Sequence, residues 1–189
     1  MEHSYFDILY EKTDFSQTGL PKGDYENCSF LNCIFSQTDL SNINFSDCSF
    51  RDCDLSLAKV NHTAFRNITF RGCKLLGIHF DQCNAFLFSA EFLACKLDHS
   101  SFFRLQIKKT KFKDCSLVEV DFSEADLSYS LFDHCELRGA TFQNSNLEKA
   151  DLRSAYNYSI DPELNRIKKA KFSAAGLAGL LDRHDIDID

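Results

Sequence analysis

The chain of 189 residues has no apolar run long enough to form a membrane-spanning helix. Its first ten residues, MEHSYFDILY, also lack the basic start and the continuous apolar segment of a secretory signal. These two absences predict a cytoplasmic protein with no membrane contact. The length suits one domain with a single core.

Basic residues are also in short supply. The chain has 28 acidic and 21 basic residues, which give a formal net charge of −7 and disfavour direct nucleic-acid binding. Residues 1–58 hold ten acids and three bases, residues 59–113 three acids and ten bases, and residues 114–189 fifteen acids and eight bases. The charge is therefore banded along the chain as acidic, basic and acidic.

Recognisable catalytic motifs are missing as well. The sequence contains no phosphate-binding loop, no CxxC pair and no other metal-ligand motif. His62 and His79 are expected on one face, but no nucleophile or carboxylate pair converges with them. We therefore expect no catalytic residue, no cofactor and no metal, and we interpret the protein as not an enzyme.

What the sequence does contain is a five-residue repeat. In SFLNCIFSQTDLSNINFSDCSFRDCDL, residues 29–55, a phenylalanine or leucine occupies every fifth position. Neither the 3.6-residue period of a helix nor the two-residue period of a plain strand explains this spacing. The register runs from Tyr5 to Phe80, slips by two residues at about 81–87, and resumes from Leu87 to Leu152.

The residue two positions before nearly every one of these centres is small or apolar, as at Cys28, Thr38 and Ala58. Because positions two apart share one face of a strand, each unit should point one small and one large side chain inward. The next inward residue comes three positions later, so one extra residue must bend the extended chain. Repeated bends in the same direction predict a coil.

Similar residues recur every 20 positions, or 22 across the slip, which predicts four units per coil and a square cross-section. Coils about 4.8 Å apart would give about seven coils and a rod on the order of 35 Å long. We expect columns of phenylalanine and cysteine to form the structural core. Their members are Phe30, Phe50, Phe70, Phe92, Phe112 and Phe132, and Cys33, Cys53, Cys73, Cys95, Cys115 and Cys135.

Units such as CSFRD, ADLSY, SNLEK and ADLRS resemble the A-[DN]-[LF]-x-x units of the pentapeptide-repeat family. The resemblance covers roughly residues 4 to 155. It implies an all-β solenoid, a right-handed quadrilateral β-helix of pentapeptide repeats with four units per coil. We assign residues 1–155 to this β-helix and residues 156–189 to a small C-terminal helical cap and dimerisation tail.

The nine cysteines would suggest a disulfide scaffold in a short secreted chain. Here six of them form one column, which gives no preferred pairing. We therefore expect reduced thiols that fill space between stacked rings. Cys83 lies off that column, beside the slip, and should be more exposed.

At the slip, Leu87 is predicted to be an inward-facing centre. Phe86 and Phe88 would then flank it and point outward. They would either cover the bulge locally or form an exposed aromatic patch for a partner.

The tail departs from the repeat. Asp161–Pro162 and Ser173 are candidate starts of helical turns, apolar residues line one face from 174 to about 184, and IDID at 186–189 alternates like a strand. The tail either caps its own rod or pairs two rods about a two-fold axis. A homodimer would use the contacts Leu177, Leu180, Leu181, Ile186 and Ile188.

The segments IDPELN in the tail and LLGIHFDQC at 75–83 resemble the Qnr and microcin-immunity branch of the family. That resemblance implies a dimeric rod that imitates duplex DNA, binds DNA gyrase or topoisomerase IV, and protects it from quinolones or peptide toxins. Qnr proteins of Gram-negative bacteria carry projecting loops, and this sequence has no segment for them. The alternative is a scaffold or regulator unrelated to topoisomerases.

If two tails pair, the middle of the double-length rod is acidic, and a basic DNA-binding surface could accept it. The candidate partner-binding acids are Asp114, Glu119, Asp121, Glu124, Asp126, Asp133 and Glu136. The basic band, which includes Lys108, Lys109, Lys111 and Lys113, would instead meet an acidic surface. The plainer interpretation is that these charges only keep the rod soluble.

Overall fold

The computed structural model describes residues 3–184 and 186, and its backbone bends at one residue in nearly every unit. This corner residue lies two positions after the centre and has a left-handed conformation, with φ of +52° at Asn32, +59° at Asn42 and +61° at Lys109. Asn and Asp tolerate this conformation better than most residues. Because each corner turns the chain in the same sense, four corners close one coil.

Short strands form where the extended segments between corners are straight. In the described residues they are β1 (Ser4–Phe6), β2 (Leu9–Glu11), β3 (Asp24–Glu26), β4 (Ser29–Leu31), β5 (Asn44–Ser46), β6 (Ser49–Arg51), β7 (Ala64–Arg66), β8 (Ile68–Arg71), β9 (Ala90–Leu93), β10 (Lys111–Lys113) and β11 (Leu131–Asp133). The helical segments within residues 3–184 and 186 are α1 (Phe15–Thr18) and three 3₁₀ helices, Phe80–Gln82, Ala174–Leu180 and Asp182–His184.

All strand pairs are parallel and join neighbouring coils. Face 1 carries β1, β3, β5 and β7 in that order, and face 2 carries β2, β4, β6, β8, β9, β10 and β11. Face 3 contains the bridge from Asp54 to Lys74, and face 4 the bridge from Asp121 to Thr141. The faces are numbered in chain order.

The register matches the spacing in the sequence. Phe30 pairs with Phe50, 20 residues on, and Phe70 pairs with Phe92, 22 residues on, across the slip. The predicted all-β solenoid with four units per coil is confirmed.

Stacked aromatic rings fill the core. The Phe112 ring lies 5.1 Å from the Phe92 ring and 5.1 Å from the Phe132 ring, nearly parallel to both. It also meets the Phe102 and Phe122 rings edge-on, at 5.9 and 5.8 Å, and both arrangements are favourable for aromatic pairs. The six predicted core phenylalanines are at most 1% exposed: Phe30, Phe50, Phe70, Phe92, Phe112 and Phe132.

The cysteine column lies beside these rings, and its thiols also hydrogen-bond the coil below. The Sγ of Cys73 donates to the Phe50 carbonyl, and the Sγ of Cys115 to the Phe92 carbonyl, both at 3.4 Å. The hydroxyl of Thr63 makes the equivalent bond at 2.7 Å on another column. The column members Cys33, Cys53, Cys73, Cys95, Cys115 and Cys135 are at most 3% exposed.

The slip is a bulge between faces 1 and 2, and it differs from the prediction. Asn84 pairs with Ala64, so Ala85 is the centre of this unit. Leu87 instead takes the corner conformation, with φ of +61°, and is 63% exposed. The prediction that Leu87 is an inward centre is therefore wrong.

Phe88 occupies the space that the small Ala85 leaves in the core. It is only 8% exposed, and its ring packs edge-on against Phe65 at 6.1 Å and Phe80 at 6.0 Å. The prediction of an outward Phe88 is wrong because the larger ring fills this gap. Phe86 does point outward and is 69% exposed.

Cys83 is more exposed than the column, as expected, but at 8% against at most 3% it is still buried. Cys83 lies two positions before the centre Ala85, and in the regular units this position holds the small inward side chain. Burial raises the pKa of its thiol to about 12. The bulge therefore begins after Cys83 and leaves this thiol inside the core.

Candidate partner-binding surfaces

The C-terminal tail covers the end of the rod. Parallel bridges continue past Ala155, with Asp151 joined to Lys171, so the chain adds a further partial coil before the tail. Ser173 then begins the helix Ala174–Leu180, and its Oγ accepts a hydrogen bond from the Gly176 amide at 3.2 Å. The sequence predicted this start, but the helix is of the 3₁₀ type.

Two glycines set how the tail packs. Three residues per 3₁₀ turn place Gly176 and Gly179 on one edge, and that edge packs against Tyr158. A Cβ at Gly176 would collide with the Tyr158 hydroxyl, and a Cβ at Gly179 with the Tyr158 carbonyl oxygen. The Gly179 carbonyl accepts a hydrogen bond from the Ile160 amide at 2.8 Å. The tail is therefore a cap on its own rod.

An ion pair also joins the cap to the last coil. The Nη1 of Arg183 lies 2.6 Å from the Asp161 carboxylate and 3.0 Å from that of Glu163. The hydrogen bond from Arg183 holds the pKa of Asp161 below its usual value. Asp161 also accepts a hydrogen bond from the Glu163 amide at 2.8 Å, in a turn rather than a helix.

The outer side of the cap carries apolar side chains. Leu177 is 50% exposed, Leu181 37% and Ile186 55%, whereas Leu180 packs partly against the core. Of the predicted IDID strand at 186–189, residues 187–189, including Ile188, lie outside the described residues. Of the predicted dimer contacts, Leu177, Leu181 and Ile186 are thus exposed, and we call these three residues the apolar cap face.

Three of the seven candidate acids are already paired with bases. Arg104 Nε lies 2.7 Å from Glu124, Lys108 Nζ lies 3.3 Å from Asp126, and Lys113 Nζ lies 3.9 Å from Asp133. One coil contains about 20 residues, so residues 20 positions apart lie side by side in neighbouring coils. The end of the basic band therefore lies directly beside these acids. Exposed pairs add little stability, but they reduce the negative charge that a partner would meet.

The other four acids, Asp114, Glu119, Asp121 and Glu136, form no ion pair with a lysine or arginine of residues 3–184. Asp114 and Glu119 are the corner residues on either side of face 3, and Glu136 lies on face 3 itself, one coil further along. Asp121 lies on the adjoining face 4, where it accepts hydrogen bonds from the Ser123 amide and the Thr141 hydroxyl at 2.9 Å. We call these four acids the acidic face.

Two side chains lie beside the acids of the acidic face. His99 Nδ1 lies 3.2 Å from Glu119, and the exposed Arg138 lies beside Glu136 on face 3. The paired acids lie elsewhere, with Asp133 on face 2 and Asp126 on face 1. The seven predicted acids therefore do not form one surface, and the four acids of the acidic face lie on or beside face 3 and on the adjoining face 4.

Within residues 3–184 and 186, no helix is long and apolar enough to cross a membrane. The same residues contain no group of three histidine, cysteine or acidic side chains placed to hold one metal ion. The surface has shallow recesses, such as one of about 400 Å³ beside Asp114, His134 and Glu136. This geometry suits contact with a large partner.

The buried thiols allow a test of the core. Burial raises the pKa of Cys48 to about 12 and also raises that of Cys33, so both thiols stay protonated near neutral pH. We expect the native protein to react with a thiol reagent much more slowly than the unfolded protein, as followed by absorbance. Several intramolecular disulfides, seen by nonreducing mass measurement of protein from cytosol, would contradict the reduced core.

Comparison with known proteins places this geometry in context. A family model described as the pentapeptide repeat region matches residues 23–86 and 85–156. Full-length QnrB1, a plasmid-mediated fluoroquinolone resistance protein, is 20% identical, with a TM-score of 0.55 over 97% of this chain and 100% of QnrB1. This match shows a shared fold.

A second solved structure in the comparison is HetL, a pentapeptide repeat protein involved in heterocyst differentiation regulation from the cyanobacterium Nostoc sp. strain PCC 7120. It is 14% identical, with a TM-score of 0.49 over 90% of this chain and 86% of HetL. No curated protein matches the chain by sequence comparison.

Proposed function

The chain belongs to the pentapeptide-repeat family, and from that premise we propose that it is a non-enzymatic rod that binds DNA gyrase or topoisomerase IV as a DNA mimic. The acidic face carries the proposal. It gathers four carboxylates within about 10 Å of rod length, since coils lie about 4.8 Å apart. Duplex DNA presents about six phosphates over the same length, counting both strands.

Protection of the topoisomerase follows from such binding. A rod that occupies the DNA-binding surface of the enzyme would compete for the site where quinolones or peptide toxins act on the enzyme–DNA complex. QnrB1, whose fold this chain shares, is itself a fluoroquinolone resistance protein. We assign the same activity to this chain as part of the proposal.

The acidic face is tested by neutralisation. The variant Asp114→Asn/Glu119→Gln/Glu136→Gln is expected to weaken binding to purified gyrase by about tenfold or more at low salt, because charge pairs across an interface set its affinity. Interferometry with immobilised gyrase measures this change. Binding of the unaltered protein should weaken as salt is added, since screening limits the range over which exposed charges interact to about 8 Å at physiological ionic strength.

A matched variant controls for net charge. Glu124→Gln/Asp126→Asn/Asp133→Asn removes the same three charges from acids that already have basic partners. We expect a clearly smaller loss of gyrase binding from this variant. Equal losses would mean that only the net charge matters, and the acidic face would then have no special role.

We also propose that the protein is a homodimer through the apolar cap face. A two-fold axis would bury Leu177, Leu181 and Ile186 of each chain against the same residues of the other. The acidic ends of two rods would then join into one longer acidic surface. This arrangement would double the charge available to a topoisomerase.

The variant Leu177→Glu/Leu181→Glu is expected to be monomeric by light scattering and to keep its melting temperature as a rod, because these side chains point away from Tyr158 and the last coil. Gly179→Ala is the contrasting change, since its Cβ collides with the Tyr158 carbonyl and should loosen the cap. If the unaltered protein is a monomer, or the double variant stays dimeric, the tail is only a cap.

The second candidate is a scaffold or regulator unrelated to topoisomerases. The observation that favours it is the pairing of Glu124, Asp126 and Asp133 with bases, which breaks the uniform negative charge of a DNA mimic. Gyrase binding distinguishes the two candidate functions. A DNA mimic is expected to bind gyrase in a salt-dependent way, whereas a scaffold for other proteins is not.

A further inference from the structure

The bulge exposes two large apolar side chains next to each other. Phe86 is 69% exposed and Leu87 is 63% exposed, at the corner between faces 1 and 2. Neither contributes to the core, where Phe88 fills the gap left by Ala85. A leucine with φ of +61° is uncommon, so the chain holds this side chain outward with a strained backbone.

A polar recess of about 310 Å³ lies immediately beside the bulge, where the chain returns to face 2. It is lined by residues of three successive coils, among them Thr69, Ser89, Glu91, Lys109 and Lys111. The Glu91 carboxylate already accepts a hydrogen bond from the Thr69 hydroxyl at 3.3 Å. The carboxylate keeps its negative charge, so the two lysines give the recess a net charge of +1.

These lysines differ from their neighbours in having no acidic partner. Lys108 and Lys113 pair with carboxylates further along the rod, whereas Lys109 and Lys111 form no ion pair within the described residues. Both belong to the basic band, residues 59–113, which holds ten bases and three acids. The recess thus combines unpaired positive charge with an adjacent apolar surface.

We propose that the bulge and recess form a docking surface for a short acidic segment of another protein that carries one aromatic or aliphatic side chain. The carboxylates of the segment bind Lys109 and Lys111, and its apolar side chain packs on Phe86 and Leu87. This site lies on the basic band and uses charge of the opposite sign to the acidic face. It is therefore independent of the proposed topoisomerase binding.

The length of the basic band favours a peptide over a nucleic acid. Its 55 residues make fewer than three coils, or roughly 14 Å of rod, which accommodates about four extended residues. A nucleic-acid strand following the rod would run onto the flanking segments, each of which carries a net charge of −7. A short acidic peptide fits the band without meeting that repulsion.

The test uses the whole 189-residue chain and a fluorescein-labelled tetrapeptide of sequence DFDE, with binding followed by anisotropy at low salt. Lys109→Glu/Lys111→Glu is expected to weaken binding at least about tenfold, since both charge contacts reverse sign. Phe86→Ser/Leu87→Asn is expected to weaken it at least about fivefold, in the range for losing a small apolar anchor. Replacing the phenylalanine of the peptide by alanine should weaken binding by a similar factor.

Two matched controls separate the site from general charge and exposure. Lys168→Glu/Lys169→Glu makes the same charge change on exposed lysines three coils away. Leu57→Asn removes a leucine that is 56% exposed, with φ of +57°, at the corner between faces 3 and 4. Both controls should bind the peptide as the unaltered protein does, and circular dichroism should show that all variants keep the fold.

Three results would overturn the proposal. The first is failure of the unaltered protein to bind the peptide at low salt. The second is an equal loss of binding in the control and site variants. The third is binding of an oligothymidine strand, but not of the peptide, with the same dependence on Lys109 and Lys111, because this would identify a nucleic-acid surface.

Discussion

Phe112→Ala is expected to destabilise the rod by roughly 3–5 kcal/mol, the range for truncating a large buried aromatic side chain. Phe112 is fully buried between Phe92 and Phe132, with two further rings at its edges, so the change leaves a cavity walled by aromatic side chains. For a chain of this size the melting temperature should fall on the order of 10 °C. Thermal unfolding followed by circular dichroism measures the change.

The neighbouring residue provides the control. Lys113 is exposed, and its ammonium group lies 3.9 Å from the Asp133 carboxylate, so Lys113→Ala should cost under about 0.5 kcal/mol. Residues 112 and 113 share one strand, in which the Phe112 side chain points inward and the Lys113 side chain points outward. Equal losses of unfolding free energy in Phe112→Ala and Lys113→Ala would contradict the alternation of inward and outward side chains.

Phe88→Ala should also cost about 3 kcal/mol, because Phe88 is the ring that packs against Phe65 and Phe80 in place of a normal centre. Phe86→Ala and Leu87→Ala should each cost under about 0.5 kcal/mol, since both side chains are exposed. Urea unfolding of the three variants measures how much free energy of unfolding each substitution removes. A costly Leu87→Ala with a neutral Phe88→Ala would restore the register expected from sequence periodicity.

The regular coils could be predicted because each repeats the same local geometry. One five-residue unit determines which side chains point inward, and the 20-residue recurrence of Phe50, Phe70 and their equivalents determines which of them stack. The bulge has no such repetition. Periodicity assigns Leu87 as the centre, whereas the backbone pairing of Asn84 with Ala64 assigns Ala85, and an alanine centre carries almost no hydrophobic signal.

The candidate surfaces were predicted less completely than the fold. Composition identified the seven acids but did not show which of them are paired with bases. That pairing depends on which residues lie beside each other in neighbouring coils. Spacing carries part of that information, since Arg104 and Glu124 are 20 residues apart, as are Lys113 and Asp133. The spacing of three between Gly176 and Gly179 suits a 3₁₀ turn, but only the folded structure shows Tyr158 against them.

We propose that the acidic face of the rod occupies the DNA-binding surface of a topoisomerase. Gyrase supercoiling at low salt, with and without ciprofloxacin, tests it most directly. We predict that the protein changes supercoiling and raises the ciprofloxacin concentration needed for inhibition, and that Asp114→Asn/Glu119→Gln/Glu136→Gln largely loses this effect. If the intact protein neither binds gyrase nor alters its supercoiling under these conditions, the DNA-mimic function is wrong.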